Sequence, residues 1–150
     1  MRYNLEKSLQ QLKEEIGRMG GLVEESVDKT IIALKEMNVQ IARDIIAHDD
    51  YIDDVETKIE RHCLSLFALQ QPLAADLRFI GSTLKMITDL ERIADHSADI
   101  AELTLRIAVD KPQKLNPDIY KMAEMAKSMV SRSIDAFLNQ DIELAGIVCN

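Results

Sequence analysis

The chain has no tryptophan, only three Phe and three Tyr, five Gly, three Pro and two Cys among its 150 residues. So little Gly and Pro leaves an all-β chain without material for its turns. Cys63 and Cys149 stand far apart with no Cys-x-x-Cys spacing. That argues against a thiolate-type metal site and fits thiols kept reduced in the cytoplasm. Basic residues are also short: 18 Lys and Arg against 26 Asp and Glu give a formal charge of −8, and the cations are scattered. A duplex-binding module needs a positive footprint, so no direct DNA binding is expected. No run approaches the roughly 18 apolar residues of a membrane span, and the first residues lack the apolar core of a signal peptide. Phosphate-loop glycines, a nucleophile elbow, His-Glu-x-x-His and paired Glu-x-x-His motifs are all missing. Nothing positive supports an enzyme, and an acidic cytoplasmic protein is the expectation.

What the chain does have is helix-forming residues, with Leu, Ala, Met, Lys and Glu prominent among them. Their apolar members recur at steps of three and four. Leu5, Leu9, Leu12, Ile16, Met19, Val23, Val27, Ile31 and Leu34 trace one helix that keeps phase through Gly20-Gly21. Asn38 reads as a break and cap. A second stripe runs Ile41, Ile45, His48, Ile52, Val55, Ile59, Cys63 and Leu66 up to Pro72, which should also sit in the first turn of the third helix. There Leu73, Leu77, Ile80, Leu84, Ile87, Glu91, Ala94, Ala98, Ala101, Leu105 and Ala108 form a four-three seam, as in bundles with small crossing angles. Asp110-Lys111-Pro112 should end it, and Asn116-Pro117-Asp118 should start a fourth helix running to about Asn139, with a fifth near Asp141. His48 is expected to be a satisfied core histidine, His62 to be structural, and the seven Met to fill the core.

Sliding the tail back by 103 residues sets Val130 on Val27, Ile134 on Ile31, Ala136 on Ala33 and Ala145 on Ala42. The fold expected is therefore all-α: a three-helix bundle over 1–110, then the first one to two helices of a second, incomplete bundle over 116–150. The fourth helix carries Ile119, Met122, Met129 and Phe137 without two partner helices, so a homodimer through residues 117–150 is expected.

Carboxylates gather on the third helix. Glu91, Asp95, Asp99 and Glu102 span only about 80° of arc, and a carboxylate in a seam position is costly to bury unpaired. If helices two and three are antiparallel about Pro72, residues whose numbers sum to about 142 to 144 face one another. Asp95 then meets His48 and Asp49, Asp99 meets Asp44, and Glu91 meets Ile52 and Asp53. An oxygen-rich set with an occasional imidazole suits Mg, Ca, Mn, iron or zinc. The plainer alternative is a solvated acidic surface.

The segments Gln70-Gln71-Pro72-Leu73-Ala74-Ala75-Asp76-Leu77-Arg78 and Asp89-Leu90-Glu91-Arg92-Ile93-Ala94-Asp95-His96 resemble the first repeat of the PhoU family, regulators of phosphate uptake. The likeness runs from about Leu9 to Asn150, and Ala94 stands where the family usually has Gly. It implies two tandem three-helix bundles, each with an acidic motif able to hold a multinuclear cluster, iron or zinc foremost and Mg or Mn as alternatives. By that resemblance Glu91 and Asp95 are the metal-ligand candidates. Asp99 extends their face, and Asp49 and Asp53 rank lower because they rest on the antiparallel pairing. It also implies a non-catalytic negative regulator linking the ATPase subunit of the phosphate ABC transporter to a sensor histidine kinase, at the membrane only through these partners. The family's second motif belongs in a sixth helix, and this sequence stops in its fifth. A helical interaction module without metal, or more remotely a carboxylate-metal hydrolase, is the competing reading.

Overall fold

The structure, a computed structural model, describes residues 2–70, 72–110 and 115–150. It contains α1 (Arg2–Glu36), α2 (Val39–Gln70), α3 (Ala74–Asp110), α4 (Pro117–Asn139) and α5 (Ile142–Cys149). Among the described residues there is no strand. α1 runs through Gly20-Gly21 without a break, because its apolar stripe stays in phase on both sides.

The helices α1, α2 and α3 pack on one another as an up-down-up bundle. Leu12, Ile16, Met19 and Val23 of α1 meet Ile52, Ile59 and Cys63 of α2 and Ile80, Ile87 and Leu90 of α3 in one core. Thr30, Thr83, Ser97 and Thr104 are buried as well, at positions the apolar pattern passes over. Each hydroxyl donates to the carbonyl four residues earlier, and Thr30 Oγ1 also lies 3.3 Å from the Ser97 carbonyl. These residues therefore bury without leaving an orphan group.

Several expectations need correction. His48 is exposed rather than in the core, with its Nδ1–H donating to the Asp44 carbonyl at 2.8 Å. Its neighbours Ile45 and Ile52 already fill the seam. Pro72 precedes α3 and does not open it. The helix starts at Ala74, whose φ of 43° lies in the left-handed region, and Leu73 and Leu77 face solvent. Met19 is buried, but Met122, Met125 and Met129 are exposed on α4. The expected stop at Lys111-Pro112, like Gln71 of the α2–α3 turn, lies outside the described residues.

The α1–α2 and α4–α5 junctions obey the 103-residue offset. Met37 (φ 50°) and Gln140 (φ 55°) each close a helix in the left-handed conformation. The amide of Asn38 donates to the Ala33 carbonyl at 2.9 Å, and that of Asp141 to the Ala136 carbonyl at 2.8 Å. Asn38 Oδ1 then accepts from the amides of Gln40 and Ile41, and Asp141 Oδ1 from the Leu144 amide, as helix N-caps. α4 lies antiparallel along α1. Lys35 stands 3.1 Å from Glu124, Lys127 pairs with Asp28, and a β-carbon on Gly17 would lie 3.6 Å from Leu138. Lys35 also lies over the Tyr120 ring, 5.8 Å from its centroid. Adding 103 to Gly17 and Lys35 gives Tyr120 and Leu138, so these two contacts exchange under the offset. That is the signature of a local two-fold axis between α1 and α4.

Candidate metal centre

Helices α2 and α3 are antiparallel, and the register between them places the acids. Thr88 Oγ1 donates to Glu56 Oε1 at 3.0 Å, so numbers summing to 144 meet across the seam. The same sum pairs Asp53 with Glu91, and Asp95 follows one turn along α3. One carboxylate oxygen from each of Asp53, Glu91 and Asp95 lies within 4.8 Å of the other two. Among the described residues no second group of three His, Cys, Asp or Glu converges in this way.

The electrostatics follow from that geometry. Burial and then the Asp95 charge raise the pKa of Glu91 above its ordinary 4.5 and that of Asp53 above its ordinary 3.8. Asp49 is raised as well, by burial first and then by Asp95 and Asp53. It stands at the edge of the group and within its field. Asp53 Oδ1 is buried and has no hydrogen-bond partner. A buried carboxylate oxygen without a donor is costly, and a cation held by the three carboxylates would satisfy it. The donor set thus fits a metal.

Asp99 stands apart. Its carboxylate is exposed and 3.6 Å from His96 Nδ1 one turn back, although its charge reaches Asp49. His62 bridges α2 to α1, with Nδ1 2.7 Å from Glu15 Oε2, and so does structural work far from the acids. The acid beside the triad that sequence reasoning passed over is Glu56, held by Thr88 one turn from Asp53 and outside the converging group. The summing rule pairs it with Thr88 and would have found it.

With an oxygen-only donor set and no imidazole, the centre suits hard cations such as Mg, Ca, Mn or iron. Zinc in proteins draws more on nitrogen and sulfur.

Comparison with known proteins gives the context. The profile described as the PhoU domain matches residues 16–104. The phosphate-specific transport system accessory protein PhoU homolog of Aquifex aeolicus is 42% identical over 139 residues, 93% of this chain and 63% of that protein. Its namesake in Clostridium acetobutylicum is 38% identical over 145 residues, 96% of this chain and 66% of that protein. The chain thus spans less than two thirds of the length of these relatives. The crystal structure of PhoU from Pseudomonas aeruginosa superposes with a TM-score of 0.90 at 29% identity, over 95% of this chain and 68% of that one. PhoU from Streptococcus pneumoniae gives 0.89 at 30% identity, over 96% of this chain and 68% of that one.

Proposed function

Because the chain belongs to the PhoU family, we propose that it is a metal-binding regulatory adaptor of phosphate transport. It acts in the cytoplasm as a negative regulator of uptake and of phosphate-starvation signalling. Its partners in this reading are the ATPase subunit of the phosphate ABC transporter, a sensor histidine kinase and a second copy of the chain through residues 117–150. The names of its relatives support the transport setting. No described helix is long and apolar enough to cross a membrane, and in this reading contact with the membrane is made by those partners.

The observation that carries the metal reading is the meeting of Asp53, Glu91 and Asp95 around a buried, unpartnered oxygen. These three would hold the ion, with Asp49 able to join from the edge. Iron and Mn fit the oxygen donors better than zinc. An ion bound there would neutralise three mutually repelling charges and tie α2 to α3.

Protein purified without chelator should carry metal in fixed stoichiometry, measured by inductively coupled plasma mass spectrometry. The Glu91→Ala, Asp95→Ala double variant should carry none and should bind the purified ATPase subunit or kinase more weakly. Metal-free protein whose partner binding is untouched by that variant would instead favour a purely structural interaction module, a role the exposed apolar face of α4 also suits. Phosphatase activity under added divalent ions should stay at background.

A further inference from the structure

The α2–α3 turn displays leucine where a bundle would ordinarily hide it. Five described leucines are exposed, and Leu64, Leu69, Leu73 and Leu77, four of the five, cluster there. Leu73 is 77% exposed and Leu69 74%. Leu73 stands exposed between a buried Pro72 and Ala74, which holds a left-handed φ of 43°. A strained non-glycine residue beside an exposed apolar patch is the pattern of a functional surface.

The patch continues the face that carries the acids. Leu64 lies eleven residues beyond Asp53 on α2, and Leu77 eleven before Thr88 on α3, which is about three turns and about 16 Å in each case. Between them Gly81 leaves a notch, because a β-carbon there would meet nothing within 4 Å. Positions 49, 53, 56 and 60 of α2 and 84, 88, 91 and 95 of α3 carry six carboxylates and no Lys or Arg. α4 docks on α1 and on the opposite side of α3, where Phe137 stacks on Phe79, and leaves this face open. One groove between two helices is therefore apolar at the turn and acidic further along.

We propose that the α2–α3 groove, from Leu77 and Leu64 past Gly81 to Glu60 and Glu56, is the docking site for an amphipathic helix of another protein, apolar at one end and basic at the other. The Leu end buries against Leu64, Leu73 and Leu77, and the Lys or Arg end faces Glu60 and Glu56, which stand outside the metal triad. A helix laid in such a groove needs apolar anchors at helical spacing and charges that fix its direction. The proposal rests on the adaptor reading only in supposing a protein partner, and it does not require the metal.

The probe is a labelled 18-residue helical peptide with leucines on one face and lysines confined to one end, made in both orientations. Its twins carry glutamate in place of lysine or a scrambled order. Fluorescence anisotropy should show one lysine peptide binding at least tenfold more tightly than either twin. Leu64→Asp with Leu77→Asp should weaken it at least tenfold, and Glu56→Gln with Glu60→Gln severalfold with a flatter salt dependence. Leu73→Ser, at the most exposed leucine, serves as a milder variant should the aspartates disturb folding, which circular dichroism reports; it should weaken binding measurably. Equal binding of the glutamate twin, or undiminished binding to both leucine variants, overturns the proposal. So does a dimer of the unliganded protein that Leu64→Asp dissociates, which would make the occupant a second copy, or partition of the protein onto neutral phosphatidylcholine vesicles, which would make it lipid. Metal content measured on the same leucine variants should be unchanged, so failure of the metal centre and failure of the groove are read separately.

Discussion

A β-carbon built on Gly20 would sit 2.9 Å from Ile134 Cγ2, whereas one on Gly21 would meet no atom within 4 Å. Both glycines lie inside α1, where Ala is favoured by about 0.5–1 kcal/mol. Gly21→Ala should therefore raise stability by about that amount. Gly20→Ala gains the same helix propensity but pushes on a β-branched side chain with one preferred rotamer, at a cost of about 1–3 kcal/mol, and should be net destabilising. Urea melts that moved both variants in the same direction would contradict this account. The two thiols divide similarly. Burial, with the Glu15 charge as the next contribution, pushes the Cys63 thiol up to about 11, and its side chain is fully buried, while Cys149 is exposed. Native protein at neutral pH should show one thiol reactive to Ellman's reagent, and Cys149→Ser none; two fast thiols would show that the α1–α2 contact opens readily.

At the scale of the element, α2 and α3 carry their acids at an energetic cost that pH can reveal. Asp49, Asp53 and Glu91 all have pKa values raised by folding, chiefly through burial and then through neighbouring carboxylates. The folded chain thus holds these protons more tightly than the unfolded one. Their repulsion is a penalty at neutral pH that is relieved as pH falls through the raised values, so stability should rise on acidification until it reaches the ordinary carboxylate range. Chelator-treated protein should melt higher at about pH 5 than at about pH 7, and Asp53→Asn should flatten that slope. Bound metal should reverse it: at a hundredfold excess over Kd the gain is about 2.7 kcal/mol at neutral pH, and acid would then displace the ion. A melting temperature flat in pH for both forms would show that the carboxylates do not interact as described. Much of this pair was legible in the sequence, because the seam spacing and the summing rule for antiparallel helices bring Asp53 opposite Glu91. The start of α3 was not legible, since Pro72 fits a first helical turn as readily as a buried turn residue, and only the packing distinguishes the two. Asp99 shares the arc of Glu91 and Asp95, but it lies a turn beyond Asp95 and turns to His96. Arc alone does not set height along a groove.

For the whole molecule, the decisive feature is what α4 leaves uncovered. The 103-residue offset maps Ile119 onto Ile16 and Met122 onto Met19. The two α1 residues are fully buried between α2 and α3, whereas Ile119 is 40% and Met122 68% exposed. Met125 and Met129 extend the same open surface. α4 packs Ile134 and Leu138 over Gly20 and Gly17 of α1 and adds ion pairs, which fix its direction while leaving its methionine face outward. Flexible, polarisable methionines adapt to a partner surface that need not be sculpted for them, and an apolar strip of this kind is ordinarily covered. Two copies can cover it by laying α4 against α4 about a two-fold axis, which is the commonest closed symmetry for a homo-oligomer. Sedimentation equilibrium should therefore give about twice the 17.0 kDa chain mass. Met122→Glu with Met125→Glu should return the protein to a single chain while leaving helix content, metal content and the leucine groove intact. A protein that sediments at 17.0 kDa at every concentration would refute the dimer. Dissociation by Leu64→Asp rather than by the methionine variants would place the contact at the α2–α3 turn instead, and two copies meeting there would close the groove to any other helix.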